Sequence, residues 1–394
     1  MRDKRKESAV KKIVIVGAGA SGVYLSLLLK QQMPQNQIIV LEQNKSPLKK
    51  LLATGNGRCN LSNRKMHSQY YQSDQLKMVQ SIIQDFDMVE QMQKIGLYCV
   101  YQGDLLYPKS EQALSVRNVF MQRSEEAGVV FQYEQEVLQI QRQKHQYLIK
   151  TNFQNIIADV IVLAMGSEAG KLSGMNTSRY EILKQMHLKV VEPVPSLVQF
   201  YTSPVLKSLK GVRVKGTFSL VENEKCIHQE KGELLFTDYG VSGIAVMQLS
   251  SFYQKHHHYQ LYIDFFDELS HNQLCQLLSK QSPLFLEGLI NHKIAIAFQK
   301  YQHLSINQLA SLLKHYPLEV KGIREASYAQ VMKGGLSLKE VTEDLELKQY
   351  PCIYAMGEIL NVAGMCGGYN LHFAFASAYR VAKAIERNVY VKNS

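Results

Sequence analysis

The sequence predicts an α/β protein of several domains, and three observations support this prediction. The chain has 394 residues, of which 46% are apolar and 20% charged, a globular composition with length for two or three domains. Near the N-terminus a short apolar strand is followed at once by a glycine-rich loop, a helical pattern and a second strand. Later, a mostly β stretch and a helical stretch precede a return of strand and helix signals. This order predicts a discontinuous α/β domain with an inserted mostly-β domain and a small helical domain.

The composition also excludes some classes of protein. No apolar run approaches the roughly 18 to 20 residues of a membrane-spanning helix, so we expect no membrane span. Residues 1–12 are basic but lack the apolar core and cleavage site of a secretory signal. The six cysteines include no C-x-x-C pair, which argues against a disulfide framework or a zinc site. We therefore expect a protein of the reducing cytoplasm.

The chain carries a net charge of +11, from 45 Lys and Arg against 34 Asp and Glu. Six basic and two acidic residues give a basic tail at 1–12 a charge of +4, which leaves +7 for the rest. Such an excess favours anionic partners through long-range attraction. No compact stripe of Arg and Lys stands out, so a solvated basic tail is the simpler interpretation.

The strongest local signal is a strand–loop–helix–strand unit close to the N-terminus. Lys12–Val16 is rich in β-branched residues, which is typical of a short buried strand. Residues 17–22 read GAGASG and open an apolar helical pattern that stops near Pro34. A second strand, Ile38–Leu41, ends directly before Glu42. The unit therefore has the order and spacing of a nucleotide-binding β-α-β fold.

Each part of this unit has a physical task. Gly17 permits a tight turn, Gly19 allows backbone to approach a pyrophosphate, and Gly22 lets helix and strand pack closely. The N-terminus of the helix attracts phosphate groups. Glu42 can accept hydrogen bonds from ribose hydroxyls, and its charge argues against a 2′-phosphate and hence against NADP here. We therefore predict a dinucleotide-binding domain of the Rossmann type.

The elements that follow extend this layout. Apolar residues recur with helical spacing in residues 74–95 and 110–127, which predicts a helix in each range. The second helix is expected to begin at Ser110. Residues 129–165 contain short alternating segments, the pattern of a β-rich insertion before a returning parallel strand.

The middle of the chain has a different character. Residues 193–266 read mostly as strands, and residues 270–316 read as helices that Pro317 ends. Turns within the strand region are expected at Gly211, Gly216 and Gly232.

Three further segments complete a pattern that covers nearly the whole chain. Residues 57–63 read GRCNLSN, residues 236–243 read FTDYGVSG, and residues 357–370 read GEILNVAGMCGGYN. Together with the glycine-rich loop, they resemble the HI0933-like or BaiN-like family of NAD(P)/FAD-dependent oxidoreductases. The resemblance implies a three-domain flavoprotein that binds FAD.

The chain departs from the family pattern at a few positions. Asp238 stands where the family usually has His, and Asn361 stands where it usually has Asp. Met165 and Ser167 also replace the usual Thr and Gly after a strand end. These changes lie on the expected substrate side, so they affect the choice of reaction more than the choice of cofactor.

The resemblance assigns domains and cofactor residues. The expected domains are a basic tail at 1–12, an FAD-binding Rossmann-type domain at 13–190 and 326–394, a mostly-β substrate domain at 191–268 and a helical domain at 269–325. The expected cofactor-binding residues lie in glycine-rich loops or at strand ends. They are Gly17, Ala18, Gly19, Ala20, Ser21, Gly22, Glu42, Gln43, Lys50, Gly57, Arg58, Cys59, Asn60, Val137, Ala164, Gly166, Gly357, Glu358, Gly367, Gly368, Tyr369, Asn370 and Leu371.

Several of these positions have two interpretations. The helix after residues 367–370 can turn its N-terminal N–H groups toward the N1–C2=O edge of a flavin, or it is an ordinary glycine-rich helix start. Glu358 either touches the ribityl chain or caps a strand end. Arg58 and Asn60 either contact the flavin or hold their loop. Cys59 is expected to pack and not to carry redox chemistry.

The expected catalytic residues are Asp238, Tyr239 and His372. Asp238 and Tyr239 mark the segment where we look for substrate contacts. His372 lies in the first turn of the last helix, where it is either an acid near the substrate or a packing residue. The run His256–His258 lacks acidic or cysteine partners at ligand spacing, so we expect a solvated loop there and no metal site.

Three functions fit these observations. The leading one is an FAD-dependent oxidoreductase that acts on a small organic substrate by hydride transfer through flavin N5. The second is a flavin-dependent reductase of a base in structured RNA, since the chain is basic. The third is a non-catalytic flavin binder. The sequence has no second complete G-x-G-x-x-G, so NADH or NADPH would visit the flavin transiently as electron donor.

Overall fold

The computed structural model describes residues 10–170, 179–280 and 286–391. Within these residues the chain forms two compact units. Unit 1 contains the described residues up to Val194 and from Val331 onward, and unit 2 contains those from Pro195 to Gln330. Most of the expected basic tail at 1–12 lies outside the described residues.

Single helices, one pair of helices, runs of strands and one run of three helices follow one another along the described chain. The helices are α1 (Ala20–Gln32), α2 (Lys49–Ala53), α3 (Leu76–Gln84), α4 (Met88–Lys94), α5 (Ala113–Glu126), α6 (Arg179–Gln185), α7 (Ile244–Ser250), α8 (His271–Ser279), α9 (His292–Phe298), α10 (Ile306–Lys314) and α11 (Tyr369–Val391). The strands are β1 (Lys12–Val16), β2 (Gln37–Leu41), β3 (Ser62–Asn63), β4 (Tyr71–Ser73), β5 (Cys99–Gln102), β6 (Leu105–Pro108), β7 (Val130–Gln132), β8 (Val137–Gln143), β9 (Gln146–Thr151), β10 (Asn155–Ala158), β11 (Val160–Leu163), β12 (Val190–Ser196), β13 (Phe200–Ser203), β14 (Arg213–Glu222), β15 (Lys225–Phe236), β16 (Gly240–Ser242), β17 (Tyr259–Asp264), β18 (Tyr316–Ile323), β19 (Val331–Leu336), β20 (Ile353–Ala355) and β21 (Val362–Gly364).

A parallel sheet in the order β20-β11-β1-β2-β7 forms the centre of unit 1. Strands β1, β2 and β11 are almost continuous buried apolar runs, as the strands of covered parallel sheets are. Helices α1 and α11 meet through Tyr24 and Phe375, whose rings lie edge to face with centroids 5.3 Å apart. The predicted strand–loop–helix–strand unit is confirmed, and α1 ends at Gln32, before Pro34.

Smaller sheets surround the parallel sheet of unit 1. Strands β8, β9 and β10 form an antiparallel sheet between β7 and β11 in the chain, which confirms the predicted β-rich insertion. Strands β3, β6 and β5 form a second sheet, and β4 pairs with β21. Strand β12 pairs with β19. The pairing of β4 with β21 brings N-terminal and C-terminal parts of the chain together.

Two helix predictions in unit 1 need correction. The segment 74–95 is two helices, because Asp87 caps α4 by accepting a hydrogen bond from the Glu90 N–H. Helix α5 begins at Ala113 and not at Ser110. Glu111 has a φ of +51°, so the helix does not extend back through this residue.

Unit 2 contains a closed antiparallel barrel in the order β13-β16-β15-β14-β17-β18. Phe200, Phe218 and Leu234 belong to its fully buried core. Helices α8 and α10 each begin with a capping box, at Ser270 and Ser305.

Gly211 lies in a turn with a φ of +85°, as predicted. The turns predicted at Gly216 and Gly232 are wrong, because these residues face each other across β14 and β15. A Cβ atom at Gly216 would lie 2.2 Å from the Asp264 carbonyl oxygen, so the barrel strands approach too closely there for a side chain.

Strand β18 follows the helices α8, α9 and α10 in the chain and yet closes the barrel. Barrel and helices therefore fall in one compact unit. Pro317, expected to end the helical region, is the second residue of β18. The division into a mostly-β domain at 191–268 and a helical domain at 269–325 stays a prediction.

Candidate functional site

The glycine-rich loop between β1 and α1 has two crowded glycines and one open glycine. A Cβ atom added at Gly17 would lie 2.3 Å from the Ala164 carbonyl oxygen, and one at Gly22 would lie 2.0 Å from the Gly17 carbonyl oxygen. A Cβ atom added at Gly19 would meet no described atom within 4 Å. Gly17 and Gly22 therefore serve the packing of the fold, while Gly19 borders open space.

The N-terminus of α1 is available to an anion. Gly19 is its N-cap residue and provides no side-chain hydrogen bond, and the first turn, which starts at Ala20, contains no acidic residue. Backbone N–H groups at such a helix start carry partial positive charge. We call the segment of residues 357–368, which precedes α11, the return loop. Ser21, also in the first turn of α1, lies beside it, since a Cβ atom added at Gly357 would lie 2.7 Å from Ser21 Oγ. The cradle fits the pyrophosphate of a dinucleotide.

Glu42 is buried at the end of β2 and accepts three hydrogen bonds. Its Oε2 accepts from the Ala18 N–H at 2.9 Å. Its Oε1 accepts from the backbone and side-chain nitrogens of Asn44, at 2.8 and 2.6 Å. The carboxylate thus fixes the glycine-rich loop against the end of β2. Gln43, the next residue, is half-buried.

The backbone of Glu42 also connects to the β-rich insertion. The Glu42 N–H donates to the Gln132 carbonyl at 2.9 Å, and the Gln135 N–H donates to the Glu42 carbonyl at 2.9 Å. Val137 follows two residues later as the buried first residue of β8. The topology therefore brings Val137 to the edge of the sheet at which Glu42 lies.

A charged cluster joins α2 to the return loop. Lys50 Nζ donates to Glu358 Oε2 at 2.7 Å and to Ser167 Oγ at 3.3 Å. Ser167 Oγ also donates to Glu358 Oε2 at 3.3 Å. A Cβ atom added at Gly166 would lie 4.0 Å from the same Glu358 oxygen. Ala164 begins this stretch, and its N–H donates to Val16 at the end of β1.

The loop of residues 57–63 is held against the start of α11. Oriented with its nitrogen toward carbonyl groups, the Asn60 amide donates to Ser62 O at 2.9 Å and Leu106 O at 3.2 Å. Its oxygen then accepts from the Gly368 N–H at 3.2 Å. A Cβ atom at Gly368 would lie 2.5 Å from the Ser62 carbonyl oxygen, so only glycine permits this approach. The Asn63 side chain donates to the Gly367 carbonyl at 3.0 Å.

The first turn of α11 is fixed by polar and aromatic contacts. Asn370 Oδ1 accepts from the Gly364 N–H, and its Nδ2 donates to the Gly364 carbonyl, both at 2.8 Å. Tyr369 is buried and stacks on Tyr70 with ring centroids 4.9 Å apart. Leu371 is half-buried in the same turn. This helix start is rigid, which suits a group that must orient a cofactor.

Arg58 and Cys59 also belong to the 57–63 loop. Arg58, which follows Gly57, donates through Nε to Glu111 Oε2 at 2.8 Å and lies over the Tyr107 ring at 4.3 Å. This geometry favours the interpretation that Arg58 holds its loop. Cys59 is fully buried, and burial raises the pKa of its thiol to about 12, so the thiolate nucleophile is absent near neutral pH.

His372 lies inside unit 1 with both ring nitrogens engaged. Its Nδ1 is 2.8 Å from Ser62 Oγ, and its Nε2 is 3.3 Å from the Ile83 carbonyl oxygen. Burial lowers the pKa of His372 to about 4, so the ring is neutral at pH 7. A neutral ring satisfies both contacts if Nε2–H donates to Ile83 and Nδ1 accepts from Ser62. This placement favours packing over a role as an acid.

Asp238 and Tyr239 lie in unit 2, in the tight turn between β15 and β16. Asp238 is exposed and forms an ion pair with Lys210 at 2.5 Å. The Lys210 ammonium lowers the pKa of the Asp238 carboxyl. Tyr239 faces Arg324, whose guanidinium carbon lies 4.4 Å from the ring centroid.

Sequence reasoning missed several side chains that organise the site. The sequence pattern assigns no role to Asn44 or Ser62, and it marks Ser167 only as a departure from the family motif. Asn44 follows Glu42 by two residues, a spacing at which a short amide can bond a neighbouring carboxylate. For Ser62 and Ser167 no local signal exists, since their partners lie 310 and 191 positions away.

Two further properties concern the described residues of both units. In the described ranges no helix is both long and apolar enough to cross a membrane. Among the residues that the structure describes, no group of three or more His, Cys, Asp or Glu side chains is placed to hold a metal ion.

Known proteins resemble the chain over nearly its full length. A 3-dehydro-bile acid delta(4,6)-reductase of Clostridium scindens is 29% identical, with 95% of this chain and 98% of that protein covered. A ribosomal RNA dihydrouridine synthase of Escherichia coli is 25% identical, with 94% and 96% covered. A flavocytochrome c3 fumarate reductase structure has a TM-score of 0.50 at 13% identity, with 98% of this chain and 78% of that chain covered.

The fold and the dinucleotide cradle define an FAD-dependent oxidoreductase with a Rossmann-type cofactor domain. The matched family model, described as the HI0933-like protein Rossmann domain, spans residues 11–384. The chain belongs to this family, and the resemblance drawn from its sequence motifs is confirmed.

Proposed function

We propose that the protein reduces a carbon–carbon double bond conjugated with a carbonyl group in a small organic substrate, with hydride delivered through flavin N5. One NADH or NADPH and one proton per substrate would balance the reaction. The names of the relatives support this chemistry. A delta(4,6)-reductase of a 3-dehydro-bile acid and a dihydrouridine synthase both describe hydrogenation of a ring double bond near a carbonyl group.

The observation that carries the proposal is the open cradle at Gly19, at the uncapped start of α1. We expect this helix start to hold the pyrophosphate of FAD. Glu42 would accept from the adenosine ribose on the one lone-pair site that its three protein donors leave free. We place Val137 at the adenine because it follows the backbone bonded to Glu42.

At the other end of the cofactor, the start of α11 would face the flavin. When bound, FAD supplies a two-electron carrier that accepts and donates hydride. The N–H groups at Tyr369, Asn370 and Leu371 would stabilise negative charge on the reduced ring. Lys50 and Glu358 would contact the linking chain from α2 and the return loop. Asp238 and Tyr239 would contact the substrate.

An anaerobic experiment tests this proposal. Purified protein should contain FAD, and NADH or NADPH should bleach its flavin absorbance. Mixing the reduced protein with a 3-oxo-4-ene steroid should restore the absorbance and yield the saturated ketone. Protein whose flavin is reduced neither by NADH or NADPH nor by a candidate substrate would instead be the non-catalytic flavin binder.

A second candidate is reduction of uridine in structured RNA. It is favoured by the charge of +7 outside the basic tail and by the ribosomal RNA dihydrouridine synthases of Escherichia coli and Haemophilus influenzae, which are 25% and 26% identical. An RNA substrate would bind with a steep dependence on salt, because each phosphate contact releases counterions. Affinity that is insensitive to salt would exclude this candidate. A reducing cytoplasm remains the expected location for either reaction.

A further inference from the structure

An arginine in unit 2 is stacked between two tyrosines near the turn that contains Asp238. The guanidinium carbon of Arg324 lies 3.3 Å from the centroid of Tyr328 and 4.4 Å from that of Tyr239. Tyr201 meets Tyr239 edge to face at 6.0 Å. Its hydroxyl donates to Glu325 at 3.0 Å. We call Gln199, Tyr201, Tyr239, Arg324 and Tyr328 the Arg324 cluster.

Barrel topology places members of this cluster on one face. The Arg324 N–H donates to the Gln199 carbonyl at 3.0 Å, which makes the two residues cross-strand neighbours with side chains on the same side. Tyr201 is two residues beyond Gln199 and shares that side. Phe200, between them, is fully buried in the barrel core, so Gln199 and Tyr201 face outward. A β-bulge follows at Tyr201, a feature that often re-aims side chains at functional sites.

Two polar atoms of the cluster lack an expected interaction. Within the described residues, Arg324 Nε and Gln199 Oε1 are buried and have no hydrogen-bond partner. One is a donor and the other is an acceptor. Buried polar atoms without partners are costly, so a ligand that supplies an acceptor to Arg324 Nε and a donor to Gln199 Oε1 would remove that cost.

We propose that the Arg324 cluster binds the edge of a planar ring in which a carbonyl group adjoins an N–H group, as in lactams, imides and pyrimidine bases. The ring carbonyl accepts from Arg324 Nε, and the adjacent N–H donates to Gln199 Oε1. The tyrosines provide aromatic surface against which a planar ring stacks. An enone without an N–H group satisfies only the arginine, so Gln199 selects the substrate class.

This inference rests on the proposed function, since the uracil ring is also a double bond conjugated with a carbonyl group. Its test is a comparison of uridine with N3-methyluridine, which lacks the N–H group. Saturation-transfer NMR on the FAD-loaded protein measures binding of both. We expect uridine to bind about tenfold more tightly, the effect of one hydrogen bond to a buried group.

Three variants separate recognition from folding. Gln199→Leu should abolish the preference for uridine, and Gln199→Glu, which keeps the acceptor, should preserve it. Lys321→Gln removes a cation that pairs with Glu319 on the same strand and should change nothing. A loss of stability alone would weaken the binding of uridine and N3-methyluridine equally, so the ratio of their affinities reports only on the contact with Gln199. Equal binding of uridine and N3-methyluridine by the wild type, both as free nucleosides and in an RNA hairpin, or a preference retained in Gln199→Leu, would overturn the inference.

The same comparison shows whether the ring that binds belongs to a free small molecule or to RNA. Free uridine is compared with a hairpin RNA that presents uridine or N3-methyluridine in its loop. Discrimination at the nucleoside level indicates a small-molecule substrate, and discrimination only in the hairpin indicates RNA. Suppose that the wild type reduces the steroid enone but binds uridine and N3-methyluridine equally, both as nucleosides and in the hairpin. The proposed function then stands and this inference is wrong. If the protein prefers uridine but reduces none of the tested substrates, this inference stands and the proposed function is wrong.

Discussion

Lys50 and Glu358 are 308 positions apart in the sequence and form an ion pair with 2.7 Å between Nζ and Oε2. The pair connects the short helix after β2 to the return loop before α11. Ser167 hydrogen-bonds to both members. Both charged side chains are only partly exposed, so the pair stays accessible to a ligand.

Replacing Lys50 should therefore affect the cofactor more than the fold. We expect Lys50→Gln to weaken FAD binding by about five- to tenfold, because a charge-assisted contact is lost. Stability of the apoprotein should change by less than about 1 kcal/mol. Titration of apoprotein with FAD measures the first quantity and urea unfolding the second. The matched control is Lys184→Gln, which removes an exposed lysine paired with Glu181 on α6. If the two variants bind FAD equally well, Lys50 lies outside the site.

Gly19 and Gly22 should respond to substitution in opposite ways. Gly19→Ala adds a methyl group that meets no described atom within 4 Å, so the protein should fold with the Tm of the FAD-free wild type but purify without yellow colour. Gly22→Ala places its Cβ 2.0 Å from the Gly17 carbonyl and should lower Tm strongly or prevent folding. Flavin content and thermal unfolding of both variants test this contrast. A fully yellow Gly19→Ala protein would contradict the placement of the pyrophosphate.

Glu42 has both a structural and a predicted ligand role. From the sequence alone, Glu42→Ala would leave the fold intact and weaken FAD binding by roughly 10- to 150-fold. The structure adds a loss of about 1 to 3 kcal/mol of stability, because the buried Ala18 N–H and the Asn44 donors lose their acceptor. Glu42→Gln retains an acceptor oxygen and should be intermediate in both quantities. An Ala variant with normal FAD affinity would restrict Glu42 to holding the loop.

His372 should make the folded protein sensitive to acid. Its pKa is about 4 in the folded protein, because of burial, against an ordinary value of 6.5. Between these values the unfolded chain binds the extra proton, so stability falls as pH drops from about 6.5 toward 4, by about 3 kcal/mol in total. Urea unfolding at pH 7 and pH 5 measures the larger part of this loss, about 2 kcal/mol.

A histidine without this burial provides the comparison. His372→Gln should lose most of the pH dependence, and His145→Gln, at an exposed position, should retain it. The same pH dependence in the wild type and in His372→Gln would assign the effect to other groups.

Asp238 is expected to influence turnover and not cofactor binding. Asp238→Asn and Asp238→His should keep FAD and its spectrum, and they should change kcat/KM by at least about tenfold. Lys210→Gln breaks the same exposed ion pair but keeps the Asp238 carboxylate. It therefore distinguishes an effect of the carboxylate from an effect of the ion pair. If kcat/KM, normalised to flavin content, is unchanged in both Asp238 variants, the residue only closes the turn between β15 and β16.

Local chemistry in the sequence determined the nucleotide-binding half of the molecule. Alternating and apolar patterns identify β1, β2 and β11, and the spacing of Gly17, Gly19 and Gly22 identifies the cradle. These signals act over a few residues, so they can be read without a partner elsewhere in the chain. The family motifs extended the prediction to the 57–63 and 357–370 loops.

Tertiary structure decided what depends on contacts between distant segments. His372 reads as a possible acid beside a glycine-rich loop, but the Ser62 and Ile83 contacts and burial make it a neutral packing residue. Gly216 and Gly232 read as turn residues, yet the barrel uses them where backbones approach closely. Lys50, Ser167 and Glu358 form their cluster only because the chain returns to the sheet after more than a hundred intervening residues. Patterns over neighbouring residues fix which element forms, whereas burial and pairing between elements fix what each side chain can do.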